Sequence, residues 1–303
     1  MVKNIFFILF VMLLPLQGAH AKEKVLYEKN SVYQYIVVSE DTEKRQRRIH
    51  NNERHLTQGG MSIDNPDQLV FEYYRMSLIS LAFLSNEPSD ILVIGLGAGA
   101  VPKYLHKRYP DANIDIVEID PEILNVARTY FNFKDDDKMR VFINDGRMFV
   151  KRAKKRYDII FLDAYRNGSI PFHLTTREFL LETKKILKPG GVVTSNILSE
   201  RMNQFHDSMV ATYQDVFKQL YLFVGENSMN YIFVVTDHQE EMKKKEIAER
   251  SKAITKAKGL DFKLDAVAKS CICGSAVDSR VADVLTDDFA PVDILRHRKS
   301  KRS

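Results

Sequence analysis

The chain contains no tryptophan, only two cysteines and no internal repeat. So few cysteines exclude a disulfide-rich scaffold, and the missing repeat excludes a solenoid. After its first residues the chain has no run of the roughly twenty apolar residues that a membrane-spanning helix needs. With 303 residues, 45% of them apolar, it is long enough to bury one large core or two smaller ones. We therefore predict a globular protein without a stable membrane span.

The two cysteines, Cys271 and Cys273, stand one residue apart in KSCICGSA. A bridge across one residue would be strained, and no histidine lies nearby to complete a metal site. No partner base for a nucleophilic thiol is apparent either. The pattern favours two small residues near a turn, and we predict no metal site.

Both ends of the chain have a composition of their own. Lys3 precedes an apolar run over residues 5–16, and QGAHA then places Ala19 and Ala21 in an A-x-A arrangement. This is typical of a secretory signal peptide over residues 1–21, and it predicts an exported protein. The alternative is an uncleaved membrane anchor. Residues 296–303 are basic but carry no aromatic residue for stacking on bases, so we predict a solvated tail and no nucleic-acid partner.

Between these ends the sequence pattern divides the chain into two predicted domains. Residues 22–64 are rich in β-formers and predict a small N-terminal β-domain. Helical spacing follows from Asp67 to Leu84. From Asp90 buried strands alternate with helices, and two last strands form an antiparallel pair. Residues 65–295 therefore predict an α/β domain with a mostly parallel sheet, which is a Rossmann-like fold of the S-adenosylmethionine-dependent methyltransferase type.

Open parallel sheets bind ligands at the carboxyl ends of their strands. The first such end carries a glycine motif, ILVIGLGAGA, with Gly95, Gly97 and Gly99. Glycine lets the backbone pass close to a ligand, although a tight turn alone would also use it. Glu118 ends the second strand, where a carboxylate accepts hydrogen bonds from ribose hydroxyls.

The third and fourth strand ends carry Asp145-Gly146 and Asp163. Asp145 suits an adenine amine or, as the alternative, a helix N-cap. Asp163 ends a buried strand, where desolvation raises the pKa of a carboxyl group, although an ion pair is the alternative role. Together the motifs predict a bound adenosine without a pyrophosphate.

Several segments, in this order, resemble the spermidine synthase (polyamine aminopropyltransferase) family: DILVIGLGAGAVPKYL, VEIDPEILNVAR, VFINDGRMFV, YDIIFLDAY and ILKPGGVVTSNI. The resemblance covers about residues 25–295. It implies transfer of an aminopropyl group from decarboxylated S-adenosylmethionine to a small amine, without a metal, in a homodimer. It also implies that Glu118 holds the ribose and Asp145 the adenine. Asp163 would act as the base, and Tyr73 would reach towards it.

The chain departs from the family where the amines bind. Ala98 replaces an aspartate of the glycine motif, and Arg75 replaces a glutamate after the helix tyrosine. Asp163 is followed by Ala164, Tyr165 and Arg166, so a second acid is missing. In the early segment Gln58 replaces an aspartate and Met61 a glutamine. The candidate substrate-pocket residues are therefore Gln58, Arg75, Ala98 and Tyr165.

Three functions remain open. The first is an aminopropyltransferase with an altered amine acceptor, and this is our prediction. The second is a methyltransferase that uses intact S-adenosylmethionine, whose carboxylate Arg75 or Arg166 would pair with. The third is a homologue that binds a nucleoside without catalysis.

Overall fold

The computed structural model describes residues 23–51, 57–166, 168–274 and 282–289. The signal peptide expected at residues 1–21 and the basic tail at 296–303 lie outside these residues. Both therefore stay predictions.

The N-terminal segment forms a four-stranded antiparallel sheet. Its strands follow one another in sequence order: β1 (Glu23–Asn30), β2 (Tyr35–Asp41), β3 (Gln46–His50) and β4 (Thr57–Ser62). Ile36 and Val38 of β2 and Ile49 of β3 are fully buried, which is why this short polar segment holds together. The sheet falls within the segment predicted as a β-domain.

The helical segment that follows is shorter than its sequence pattern suggests. Helix α1 covers only Glu72–Ser77 and continues as a 3₁₀ helix over Leu78–Phe83. Phe71 is extended, with φ −93° and ψ 145°, so no helix begins at Pro66. Every residue of the 3₁₀ helix is buried, and packing rather than helical propensity sets its geometry.

The second sheet has eight strands in the order β12-β10-β11-β9-β8-β5-β6-β7. The five strands β9-β8-β5-β6-β7 are parallel, and β11, β10 and β12 extend the sheet in antiparallel fashion, as predicted for the last pair. The strands are β5 (Asp90–Ile94), β6 (Asn113–Glu118), β7 (Met139–Ile143), β8 (Tyr157–Leu162), β9 (Leu187–Leu198), β10 (Gln219–Val224), β11 (Asn230–Thr236) and β12 (Cys271–Ile272).

Helices and a further 3₁₀ turn (Phe172–Leu174) connect these strands. They are α2 (Ala100–Arg108), α3 (Pro121–Tyr130), α4 (Gly146–Arg152), α5 (Arg177–Lys185), α6 (His206–Val216), α7 (Lys244–Lys258) and α8 (Leu264–Ala268). Alternate residues of β5 enter two different cores: Ile91 and Val93 pack on one face of the sheet, and Leu92 and Ile94 on the other. A sheet buried on both faces explains the continuous apolar strands of the sequence.

Two further features concern the ends of the fold. Cys271 and Cys273 form a disulfide with Cα atoms 5.6 Å apart, so the pattern was wrong in favouring two small residues near a turn over a bridge. That separation lies within the range that a disulfide spans. Among the described residues, no helix combines the length and the apolar character that a bilayer crossing requires.

The order of the strands determines where a ligand can enter. From β5 the chain proceeds to β6 and β7 on one side, and later to β8 and β9 on the other side. The loops after β5 and β8 therefore diverge and leave a crevice at the carboxyl ends of the two strands.

Gly95 stands at this point and provides a test of the fold. Its φ is +101°, and an added Cβ would lie 2.3 Å from the backbone oxygen of Asp163. Gly190 also has a positive φ, +76°, but a Cβ there would meet nothing within 4 Å. We expect Gly190→Ala to lower the free energy of unfolding by roughly 1–2 kcal/mol through backbone strain alone. Gly95→Ala should lower it by roughly 1–3 kcal/mol more through overpacking.

Urea denaturation of both variants and the wild type measures the difference. Equal losses in the two variants would contradict the close backbone contact at Gly95.

Candidate active site

A cavity of about 740 Å³ opens at the crevice between the β5 and β8 loops. Its floor is formed by the carboxyl ends of β5, β6, β8 and β9 and by the residues just after β7. Helix α1 and residues from the N-terminal sheet, among them Gln34 and Gln58, close it from above. This volume is in the range of small-molecule sites, which is compatible with a nucleoside and a small second substrate.

The glycine motif forms the turn between β5 and α2. Gly95, Gly97 and Gly99 all have positive φ, of 101°, 52° and 69°. An added Cβ on Gly99 would lie 2.5 Å from Phe133, whereas one on Gly97 would meet only a carbonyl oxygen at 3.6 Å. Packing therefore requires glycine at positions 95 and 99. At position 97 the positive φ of the backbone is the only reason for glycine.

Glu118 lies at the end of β6 directly beside this turn. Its side chain is buried, and its Oε2 accepts from the Leu96 N–H at 3.0 Å and its Oε1 from the Asp120 N–H at 2.9 Å. Burial raises the pKa of Glu118, and these N–H donors oppose that effect. The Ile119 N–H also acts on this carboxylate, which still has acceptor capacity for a ligand. The predicted role in ribose binding is compatible with this geometry and stays a prediction.

Asp145 has a structural role, and its predicted contact with adenine stays a prediction. Its Oδ1 accepts from the Met148 N–H at 2.9 Å and so caps α4, and its Oδ2 lies 2.8 Å from His173 Nε2. The helix-cap alternative is thus present in the structure, while Asp145 still lines the cavity. The next residue is Gly146, and packing requires glycine there because an added Cβ would lie 2.6 Å from Ile94 Cγ2.

Asp163 lies between the β5–β7 side and the β9–β11 side of the cavity. Asn196, near the end of β9, donates from Nδ2 to Asp163 Oδ1 at 2.8 Å. Asn230 of β11 in turn donates to Asn196 Oδ1 at 2.8 Å. Burial raises the pKa of Asp163 to about 7, and the Asn196 amide acts in the opposite direction. The carboxyl group therefore changes its charge near neutral pH, as a general base requires.

Tyr73 and Tyr165 both lie near Asp163, but their hydroxyl groups bond elsewhere. Tyr73 donates to the Gln58 carbonyl at 3.1 Å, and Tyr165 donates to the Asn196 carbonyl at 2.9 Å. Burial, with Asp163 acting in the same direction, raises the pKa of both tyrosines well above its usual value. They remain neutral beside the carboxylate. The Tyr73 hydroxyl donates to Gln58, and its predicted role towards Asp163 stays a prediction.

The altered pocket residues also line the cavity. Ala98 is 2% exposed and packs against β4, where a Cβ on Gly59 would approach the Ala98 Cβ to 3.1 Å. Gln58 donates from Nε2 to Gln34 Oε1 at 3.0 Å. Arg75 is half-buried and donates from Nη1 to the Leu69 carbonyl at 2.6 Å. Met61 is buried away from the cavity, in the core.

Sequence reasoning missed Asn196, Asn230 and Glu72. Glu72 accepts from the backbone N–H groups of Glu226 and Asn227 at 2.9 and 2.8 Å, which fixes the β10–β11 turn beside the cavity. The strand-end rule that selected Asp163 would also have selected Asn196, which stands two residues before the end of β9. Asn230 follows from the antiparallel pairing of β11 with β9, which a single sequence does not specify.

Within the ranges that the structure describes, no group of three histidine, cysteine or acidic side chains is arranged to hold a metal ion.

Comparisons with known proteins agree with this architecture. Residues 71–254 match the spermine/spermidine synthase domain family. A polyamine aminopropyltransferase of Vibrio vulnificus is 39% identical over 215 residues, which are 69% of this chain and 71% of that protein.

Two solved structures show the same fold. A probable spermidine synthase from Corynebacterium glutamicum superposes with a TM-score of 0.69 at 21% identity, over 87% of this chain and 97% of that one. Human methyltransferase-like protein 13, solved in complex with SAH, gives a TM-score of 0.58 at 30% identity, over 63% and 94%. On the extent of the domain match and the identity to the Vibrio protein, this chain belongs to the spermine/spermidine synthase family.

Proposed function

We propose that the protein is an aminopropyltransferase: it moves an aminopropyl group from a decarboxylated S-adenosylmethionine donor to an amine acceptor. One observation carries the proposal. Asp163 lies at the switch point of the sheet, in the cavity, with a pKa raised to about 7 by burial. Membership of the spermine/spermidine synthase family supports it.

The half of the cavity over β5, β6 and β7 suits the nucleoside of the donor. The glycine turn exposes backbone without side chains, and Glu118 lines the same space with acceptor capacity left for the ribose. Asp145 lies at the far side of this half, where its carboxylate can accept from the adenine amine. The donor's sulfonium and propyl chain would then extend towards Asp163.

The chemistry requires a neutral amine, because an ammonium has no lone pair for attack. As the amine nitrogen bonds to the carbon next to the sulfonium, the carbon–sulfur bond breaks. Its electron pair goes to sulfur, and methylthioadenosine leaves as a neutral thioether. Asp163 takes the proton that the amine gives up, and Asn196 holds the carboxylate in place. Alignment of the two substrates in one enclosed cavity supplies the rest of the rate enhancement.

Methyl transfer from intact S-adenosylmethionine is the second candidate. It is favoured by Ala98, because the glycine turn then has no acid to bind the ammonium of the decarboxylated donor. The 30% identity to a methyltransferase-like protein solved with SAH supports it as well. The two candidates release different nucleosides, so one assay separates them.

We expect decarboxylated S-adenosylmethionine to yield methylthioadenosine with putrescine or 4-aminobutyrate as acceptor probe. Asp163→Asn should reduce this turnover by roughly 100-fold or more because the base is lost. Its affinity for methylthioadenosine should remain within a few-fold of wild type, as calorimetry measures. Release of S-adenosylhomocysteine from the intact donor would establish methyl transfer instead. Failure of the wild type to bind either methylthioadenosine or S-adenosylhomocysteine would refute both candidates.

The raised pKa of Asp163 also predicts how stability depends on pH. An unfolded aspartate has a pKa of about 3.9, so the folded state binds this proton more tightly. The resulting stabilisation is fully present below about pH 4 and is lost as the pH rises through about 7. Asp163→Asn should therefore gain unfolding free energy relative to wild type between pH 4 and pH 8, as urea denaturation at both values measures.

Asp158→Asn is the matched control, because its ion pair with Lys188 helps to lower the pKa of Asp158. The stabilising effect of the Asp158 carboxylate is nearly constant above about pH 4. The difference in unfolding free energy between Asp158→Asn and wild type should therefore stay nearly the same across this interval. An unchanged difference for Asp163→Asn as well would show that this carboxyl group titrates normally.

We further propose that the protein is exported, on the basis of the N-terminal sequence alone. The chain recovered from a periplasmic or culture fraction should begin at Lys22, as intact mass determines. Ala21→Asp, which changes the small residue at the cleavage site, should leave a longer chain in the membrane fraction. A full-length wild-type chain confined to the cytosol would contradict the proposal.

A further inference from the structure

The charges in the second half of the cavity do not suit a diamine. We call this part the acceptor half; it is bounded by α1, the segment after β8, the end of β9 and the β10–β11 turn. Of the described residues, four carboxylates line the whole cavity, and Glu118 and Asp145 belong to the nucleoside side. The acceptor half therefore retains only Asp163 and Glu72 for the two ends of a dication.

Glu72 is already engaged. Both of its oxygens accept backbone N–H groups of the β10–β11 turn, from Glu226 and Asn227. Its oxygens keep further lone pairs, but an ammonium bound there would share the carboxylate with two N–H donors, which weakens its hold on a second charge. Asp163 is thus the one carboxylate of the acceptor half, as far as the structure describes it, that keeps an oxygen without a hydrogen bond.

Two guanidinium groups line the same half. Arg75 lies one helical turn after Glu72, and Arg166 lies three residues after Asp163. Over the described parts of the chain, neither has a carboxylate within ion-pair distance, and the one contact of Arg75 is with a carbonyl oxygen. Arg166 is exposed, whereas Arg75 is half-buried. A half-buried guanidinium without a counter-ion is unfavourable, and a bound anion would relieve this cost at Arg75.

The remaining polar groups of this half are neutral. Thr194, two residues before Asn196 on β9, is 2% exposed, and its Oγ1 has no hydrogen-bond partner in the described structure. Ser228 Oγ in the β10–β11 turn is likewise buried without a partner. Both line the cavity, and a hydroxyl group can donate to an anion or accept from an amine.

From this arrangement we infer that the acceptor is an amine that also carries a carboxylate, with the amine at Asp163 and the carboxylate held by Arg75. The inference rests on the proposed transfer to an amine. Guanidinium and carboxylate form paired hydrogen bonds, whereas the second ammonium of a diamine would face a like charge. The acceptor is thus a small amino acid rather than a polyamine.

Putrescine and 4-aminobutyrate form a matched pair of probes. They have the same number of carbon atoms, and a carboxylate in one replaces an aminomethyl group in the other. With the protein saturated by methylthioadenosine, calorimetry should show 4-aminobutyrate binding at least about tenfold more tightly than putrescine. Arg75→Glu should reverse this order, because it places a carboxylate where the guanidinium was.

Arg156→Glu is the control for the change in net charge. Arg156 is exposed and does not line the cavity. It directly precedes β8 at the amino end of that strand, whereas the cavity lies at the carboxyl ends of the strands. This variant should keep the wild-type preference. Arg75→Met covers the case in which the glutamate variant does not fold. It should lose affinity for 4-aminobutyrate without gaining affinity for putrescine, at an unchanged affinity for methylthioadenosine.

Each other outcome decides against the inference. If methylthioadenosine binds but putrescine is preferred, or Arg75→Glu leaves the preference unchanged, the acceptor class is wrong and the proposed function stands. The inference also fails if Arg75→Glu weakens intact S-adenosylmethionine but not 4-aminobutyrate, since Arg75 then serves the donor. If methylthioadenosine does not bind the wild type at all, the proposed function fails and this inference with it.

Discussion

The contact between the backbones of Gly95 and Asp163 fixes the positions of the glycine turn and Asp163 relative to each other. The strand ladder continues past the strand ends: the Asp163 N–H donates to the Ile94 carbonyl at 2.9 Å, and the Gly95 N–H to the Val117 carbonyl at 2.8 Å. The glycine turn, Asp163 and Glu118 are thus held on one edge by main-chain hydrogen bonds. No side-chain packing is needed to bring them together, and any residue other than glycine at position 95 would separate them.

The same arrangement explains the protonation behaviour of the site. Asp163 is surrounded by protein but receives one side-chain hydrogen bond, from an amide. A buried carboxylate with an arginine partner would have a lowered pKa and would be a poor base at neutral pH. Tyr73 and Tyr165 stay protonated because burial and the nearby carboxylate both disfavour a second negative charge. Neutral neighbours therefore keep Asp163 able to bind and release a proton.

The sequence was sufficient for the sheet and for naming residues that line the cavity at the ends of β5, β6 and β8, because both depend on local patterns. Buried strands, crossover helices and the residues at strand ends can all be recognised from the pattern of a single sequence. It was less informative where partners come from distant segments. Asn230 joins the site through Asn196, and His173 joins it through Asp145. Helix α1 was predicted too long because burial of the next six residues overrides their helical spacing. Pairing of Cys271 with Cys273 depended on the backbone after β12.

The two halves of the cavity are built from different parts of the chain, and this separation bears on specificity. The nucleoside side uses the turns after β5, β6 and β7, which the parallel ladder fixes. The acceptor half uses α1, the end of β9 and the β10–β11 turn, whose mutual positions depend on side chains such as Glu72 and Asn230. A change of charge at Arg75 in α1 would leave the ladder untouched, so the proposed acceptor's charge could change while the position of Asp163 stays the same. A family match through the sheet therefore defines the reaction centre far better than it defines the acceptor.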